Sequence, residues 1–275
     1  MHSFKFPSIK EEYDGRTIVD PNLFIYEKMD GGNVSIRKDG TRIVPWSRGG
    51  PLGRSEKYYF NAFRQSVFEL LAPEIYKLPE NLIPFGEFPH PGYGHIPYDT
   101  PYLNKFFLIG VYDTDAQVFL RPADSQQRLA DIDVLRKIKV APLLRRGSIN
   151  QKKADELVQH SGLYSGPREG IVLHHYDPAH PHGVKMSKYY HPDFRERDYN
   201  KEGIEQFTTL RRFIKAGQGL LAAGEEITLE GVLEAATRDI MGEMGSSSAT
   251  QISRIIELKR SLITERVLPL FQQRV

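Results

Sequence analysis

The sequence predicts an α+β body over residues 1–197, followed by a small all-helical part over residues 198–275. Two observations carry this. Up to about residue 190, short apolar runs alternate with turns of Gly, Pro and Asp, as strands do, with only a few helical repeats between them. After Asp198 the apolar residues recur only at helical spacing. The chain of 275 residues, 40% hydrophobic and 26% charged, can bury one large core or two smaller ones.

Taken in order, residues 1–54 read as strands and loops. Within them, Phe24-Ile25-Tyr26-Glu27-Lys28-Met29-Asp30-Gly31-Gly32-Asn33-Val34-Ser35-Ile36-Arg37 reads as two strands meeting at a Gly-rich turn, with Lys28 at its mouth. A helix over 55–71 places Phe60, Phe63, Val67 and Leu70 on one face, and Pro73 closes it. A strand over 82–88 leads into the turn-rich stretch 90–95. Residues 106–113 form a buried strand, paired by a short hairpin to 118–120. One helix starts near Asp124 and turns Leu129, Ile132 and Leu135 inward; another runs from an Asn150 cap to Gly162. Strands over 169–176 and 182–186 flank a loop of Asp, Pro and His. Three helices then follow, over 203–216, from a Thr228 cap, and from the capping-box spacing Ser248-x-x-Gln251. The glycine-rich segments 217–224 and 242–248 connect them.

Composition excludes several classes. There is no cysteine, so neither disulfides nor thiolate metal sites arise. The N-terminus has no apolar signal region and no run reaches membrane-spanning length, so a cytoplasmic protein with no membrane partner is expected. A net charge of +2 does not by itself announce a nucleic-acid binder. The basic run Arg136, Lys137, Lys139, Arg145, Arg146, Lys152 and Lys153 contains no acid. It reads equally as a solvated face or as a contact for a phosphate backbone.

An Asp-Gly turn beside a lysine is, alone, an ordinary hairpin. The rest of the chain changes that reading. Lys28-x-Asp30-Gly31 is followed by Arg48 on a tight turn, by Gly86-Glu87 in an apolar strand and by the aromatic strand 106–113. Arg168-Glu169-Gly170-Ile171-Val172 and Gly183-Val184-Lys185-Met186 complete the series. In this order they resemble the successive motifs of the covalent nucleotidyltransferases. The nearest resemblance is to the phage RNA ligase 2 (double-strand RNA ligase) family, carried also by Glu27-Lys28…Asn33-Val34-Ser35, by Gly86-Glu87-Phe88…Pro91-Gly92-Tyr93 and by Ala141-Pro142-Leu143-Leu144…Gly147.

The resemblance implies a nucleotidyltransferase (adenylation) domain of antiparallel sheets with flanking helices, plus a small all-helical C-terminal domain. It implies an ATP-dependent RNA ligase that seals 3′-OH and 5′-phosphate ends through a lysyl-AMP intermediate and an adenylylated 5′ end. ATP and Mg2+ (or Mn2+) would be its cofactors, RNA its partner, and a monomer its state. By the same resemblance Lys28 is the nucleophile, Asp30 and Gly31 belong to its turn, and Glu27 lies beside adenosine. Asn33 lies near the reacting phosphate, and Arg48 holds the ribose and later the 5′-phosphate. Glu87 contacts ribose or a metal, Glu169 helps to bind the metal, and Lys185 neutralises the α-phosphate.

The base would lie between Val172 and the aromatic-strand residue. Aligned without a gap, the family's aromatic-Asp pair falls on Ile109-Gly110; shifted by three it falls on Tyr112-Asp113. The ungapped register also matches Phe106-Phe107, so an aliphatic side chain would replace a stacking ring. The family's Lys-x-Lys is here Lys185-Met186-Ser187-Lys188, so either Ser187 or Lys188 fills the second basic position. Standing alone, Glu87, Glu169 and Arg48 read as ordinary strand-end and turn residues. The tract His174, His175, His180 and His182 reads as a loop rather than a metal site.

Three alternatives share some of these features: an ATP-dependent DNA ligase, a GTP-dependent capping-type enzyme, and a catalytically reduced nucleotide- or RNA-binding protein. The helical pattern after Tyr189 argues against the β-rich OB domain of the first two. In the helical part, Arg211, Arg212 and Lys215 are the candidate RNA contacts.

Overall fold

The computed structural model describes residues 4–52, 58–70, 74–91, 96–130, 138–195, 207–244 and 249–272. The chain divides into two compact units, Met1–Tyr189 and Tyr190–Val275.

Unit 1 is built on two sheets. The first holds β1 (Ile18–Glu27), β9 (Leu143–Ile149), β10 (Gly170–Tyr176) and β11 (Val184–Tyr190), in the order β11-β10-β1-β9. The second runs β4-β3-β2-β5-β6-β7, where β2 is Gly32–Asp39, β3 Arg42–Ser47, β4 Gly50–Pro51, β5 Leu82–Phe88, β6 Phe107–Asp113 and β7 Val118–Phe119. Its seventh strand, β8 (Lys139–Val140), pairs in parallel with β6.

Alternation along each strand sends one face to a core. Under the second sheet, Val34, Ile36, Val111 and Phe88 pack with Phe63 and Val67 of helix α1 (Tyr58–Leu70). Under the first, Leu23, Ile25, Ile171 and Leu173 pack with Ala154 and Val158 around helix α3 (Gln151–Leu157). Asn150 caps that helix by accepting the Lys153 N–H at 3.0 Å. Helix α2 (Pro122–Arg128) precedes the segment carrying the expected core residues Ile132 and Leu135, which lie outside the described residues.

One segment joins the sheets. The Ala141 N–H donates to Leu108 on β6 at 2.9 Å, and Pro142 accepts the Glu27 N–H at 2.9 Å. Leu143 then pairs with Tyr26. Strand β9 has no alternating apolar pattern (Leu-Leu-Arg-Arg-Gly-Ser-Ile) and was not anticipated; it exists because β1 offers it an edge. The helix expected to reach Gly162 ends at Leu157, because the chain reverses and the Arg168 N–H returns to Val158 at 2.9 Å.

Unit 2 contains α4 (Leu210–Ala223), α5 (Leu229–Met244), α6 (Ala249–Glu257) and short helical pieces after Arg260. Phe213, Ile214, Val232, Ala236, Ile240, Ile252, Ile256 and Ile263 form its own core. The first helix was expected over 203–216; it begins after a Thr209 cap and continues to Gly224, which sits at φ +73°. Gly217, expected in a connection, lies within it, because a Cβ there would stand 2.7 Å from the Phe271 ring. Residues 203–206 and Ser248 lie outside the described residues. Among the described residues, no helix is long and apolar enough to cross a membrane.

Candidate active site

The strand registers bring Asn33, Glu87 and the Arg48 turn to one end of the second sheet. Asn33 pairs with Glu87, Glu87 with Phe107, and Val34 with Ser47, so the start of β2, the ends of β3 and β5 and the start of β6 coincide. Lys28 and Asp30 lie in the link from β1 to β2, where the Lys28 N–H donates to Gly170 at 3.0 Å. Gly31 admits no side chain: a Cβ would meet the Phe88 backbone at 2.7 Å, so this close crossing requires glycine.

Lys28 Nζ stands 2.6 Å from Glu169 Oε2, in a pair whose carboxylate is 1% exposed. Glu87 enters from β5, beside Asn33, which hydrogen-bonds its carboxyl. Burial pushes the Glu87 carboxyl up to about 8; Asp30 and Glu169 push the same way, against Lys28 and Asn33. Three carboxylates thus share a small space with one lysine. Asp30 Oδ2 accepts the Ile96 N–H at 2.9 Å, and the Asp30 N–H donates to the Tyr98 hydroxyl at 2.8 Å.

Glu27, expected beside adenosine, is already held by two side chains. Alternation turns it away from Tyr26, toward Ser161 Oγ at 2.5 Å and Arg168 Nε at 2.9 Å. Arg168 directly precedes Glu169, so this buried pair ties the loop carrying Glu169 to the strand carrying Lys28. Ser161, Tyr98 and the pairing of Arg168 with Glu27 are what sequence reasoning missed. Their partners lie 68 to 141 positions away (as in Tyr98–Asp30 and Arg168–Glu27), beyond any local spacing.

Arg48 is exposed on the turn between β3 and β4, at the same sheet end as Asn33. Val172 pairs with Tyr26. Ile109 lines a cavity together with Tyr26, whereas Tyr112 stacks on Phe4 at 3.7 Å and Asp113 bonds Asn81 and Arg128. Both residues of the shifted register are therefore held in other contacts.

Lys185 is not brought to the cluster. It pairs with Glu11 at 2.9 Å, with its side chain 42% exposed. Tyr189 packs in the core shared by Ile171 and Leu173, and the two-residue period places Lys185 and Ser187 on that face. Met186 and Lys188 fall on the opposite face. His174 is buried in β10 next to Tyr26, and burial lowers it to about 4; His175 pairs with Asp20 at 2.8 Å. No group of three potential metal ligands occurs among the described residues.

Two antiparallel sheets joined at a lysine-bearing Gly turn, with flanking helices, define a nucleotidyltransferase-type domain. A family model described as RNA ligase matches residues 21–190, and the chain belongs to that family. Among solved structures, it is similar to a lysine-to-alanine variant of Naegleria gruberi RNA ligase with ATP and Mn. The identity is 16% and the TM-score 0.52, over 69% of this chain and 57% of that one. A lysine-to-methionine variant with AMP and Mn gives 17% identity and a TM-score of 0.49, over 69% and 57%. The chain thus spans little more than half the length of these relatives. No curated protein matches it.

Proposed function

We propose that the chain is an ATP-dependent RNA ligase that works through a lysyl-AMP intermediate. The observation that carries this reading is the placement of Lys28 Nζ on a glycine turn, 2.6 Å from Glu169, with Glu87 facing it from the other sheet. Nζ, as the neutral amine, attacks the α-phosphorus of ATP: the N–P bond forms and the amine releases a proton to solvent, while the bond to the bridging oxygen breaks and pyrophosphate leaves with the electron pair. The AMP then passes to the 5′-phosphate of an RNA strand, and a 3′-hydroxyl displaces it. Each step is displacement at phosphorus, so the protein's task is positioning and charge stabilisation.

In this reading the base lies between Val172 and Ile109. Arg48 and Lys188 meet the phosphates from two strand ends, Asn33 orients the reacting phosphate, and Asp30 fixes the turn. Glu27 acts through Arg168 on the Glu169 loop. Glu87 and Glu169 would hold a divalent cation, which supplies charge neutralisation at the phosphates. The donor set fits it: hard carboxylate oxygens, one of them driven toward its neutral form chiefly by burial, which a bound cation would counter. Magnesium is commonly held by one or two carboxylates plus substrate phosphates. The Naegleria structures with ATP or AMP and Mn are consistent with this.

The test is incubation with ATP or GTP labelled at the α-phosphate, with Mg2+ or Mn2+. Label should attach to the protein from ATP and should be absent in Lys28→Ala, which still folds because the lysine supplies a nucleophile rather than packing. Equal labelling from GTP, or label persisting in Lys28→Ala, overturns the reading.

A further inference from the structure

The sequence departs from the expected aromatic-Asp pair at Ile109-Gly110, and the structure has a cavity of about 510 Å³ walled by those same two residues. Tyr26, Val140, Leu129 and Tyr176 line it further. Gly110 contributes no side chain, and a Cβ there would already touch the Phe119 ring at 3.3 Å. The walls are mostly aliphatic and aromatic. Ser125, the small hydroxyl among them, turns its Oγ toward the Leu120 carbonyl at 3.4 Å. Cores elsewhere in unit 1 are filled by large side chains such as Phe63, Phe85 and Phe107. Val140 is 55% exposed and Gln126 is exposed, so the cavity opens to solvent, and its apolar walls suit an apolar ligand.

The cavity also has a definite neighbour. Tyr26 pairs with Val172, one wall of the proposed base slot, and Ile109 is the other wall. The cavity therefore shares the Ile109 wall of the proposed slot and adjoins its Val172 wall through Tyr26. We propose that it extends the base end of the nucleotide site, so that the enzyme accepts a purine nucleoside triphosphate carrying an apolar group on its base. This rests on the lysyl-AMP reading. The covalent step is unchanged: Nζ–P forms, pyrophosphate leaves with the electron pair, and the substituent takes no part.

The full-length protein is incubated separately with ATP and with N6-benzyl-ATP, and the adducts are read by intact mass. Both adducts should form on the wild type, with rates within about tenfold of each other. Ala130→Phe, which projects a ring from the cavity wall, should lower the benzyl adduct by at least about tenfold and leave the ATP adduct within about twofold. Gln126→Trp, at an exposed position on the rim, does the same if Ala130→Phe folds poorly. An ATP adduct without a benzyl adduct overturns the proposal, and so does undiminished benzyl use by both variants. Absence of the ATP adduct removes the lysyl-AMP reading itself, and the extension with it.

Discussion

Glu87 carries the strongest imbalance in the site. Its carboxyl is pushed up to about 8 because burial and two nearby carboxylates outweigh Lys28 and Asn33. Between the ordinary carboxylate range and pH 8, the folded chain keeps a proton that the unfolded chain has released. Stability from this group is therefore complete below about pH 4.5 and is lost as pH rises through 8. Glu87→Gln should be more stable than wild type at pH 8.5 by at least about 1 kcal/mol, and the gap should close toward pH 4.5. Mn2+ should narrow it as well, because a cation at the carboxylates favours the charged form. Thermal melts at the two pH values, with and without metal, check this; a gap that does not change with pH removes the imbalance. At this scale the sequence was informative where motif and chemistry coincide, as at Lys28, Gly31, Glu87 and Glu169. It was silent on the direction of Glu27 and on its pairing with Arg168, since a side chain's face depends on which neighbour strand it pairs with.

At the scale of elements, strand β11 shows what spacing alone leaves open. Lys185-Met186-Ser187-Lys188 contains two lysines three positions apart, so a strand must put them on opposite faces. Only the packing of Tyr189 against Ile171 and Leu173 says which face is which, and that contact is not local. Lys185 faces Glu11 in an exposed pair of the kind worth little. Lys188→Ala should slow adenylate formation by about 100-fold, the usual cost of removing one charge-stabilising group, whereas Lys185→Ala should change it by less than about threefold. Single-turnover labelling of both variants separates them, and a larger loss for Lys185→Ala would reverse the assignment. The second half of the helix over Leu210–Ala223 was not legible for a related reason: its glycines read as a connection until Phe271 is seen packed on Gly217.

The whole molecule consists of two units, each with its own core, and every residue of the candidate site lies in the first. The change from strand to helix periodicity puts the boundary at 197/198, whereas the structure divides the chain between Tyr189 and Tyr190. The surface chemistry of the second unit was not legible. Arg212 is only 3% exposed and pairs with Asp239 at 2.5 Å, so it holds α4 to α5 and is not available to RNA. Arg211 donates to the Phe194 carbonyl at 3.2 Å and lies over Tyr190, which leaves Lys215 as the exposed one of the three. A chain ended at residue 198 should therefore still form lysyl-AMP at a rate within a few-fold of full length, because the nucleophile, the carboxylates and the base slot are all retained. It should seal a 5′-phosphorylated nick in duplex RNA at least about tenfold more slowly, since the strand ends must be held in line by more surface than a nucleotide slot offers. Lys215→Ala in the full chain should weaken binding with a reduced salt dependence, as loss of a single phosphate contact does. Folded truncated protein that seals at the full-length rate would show that the helices serve no step of the reaction, whereas lost adenylylation in folded protein would mean that they complete the first step as well.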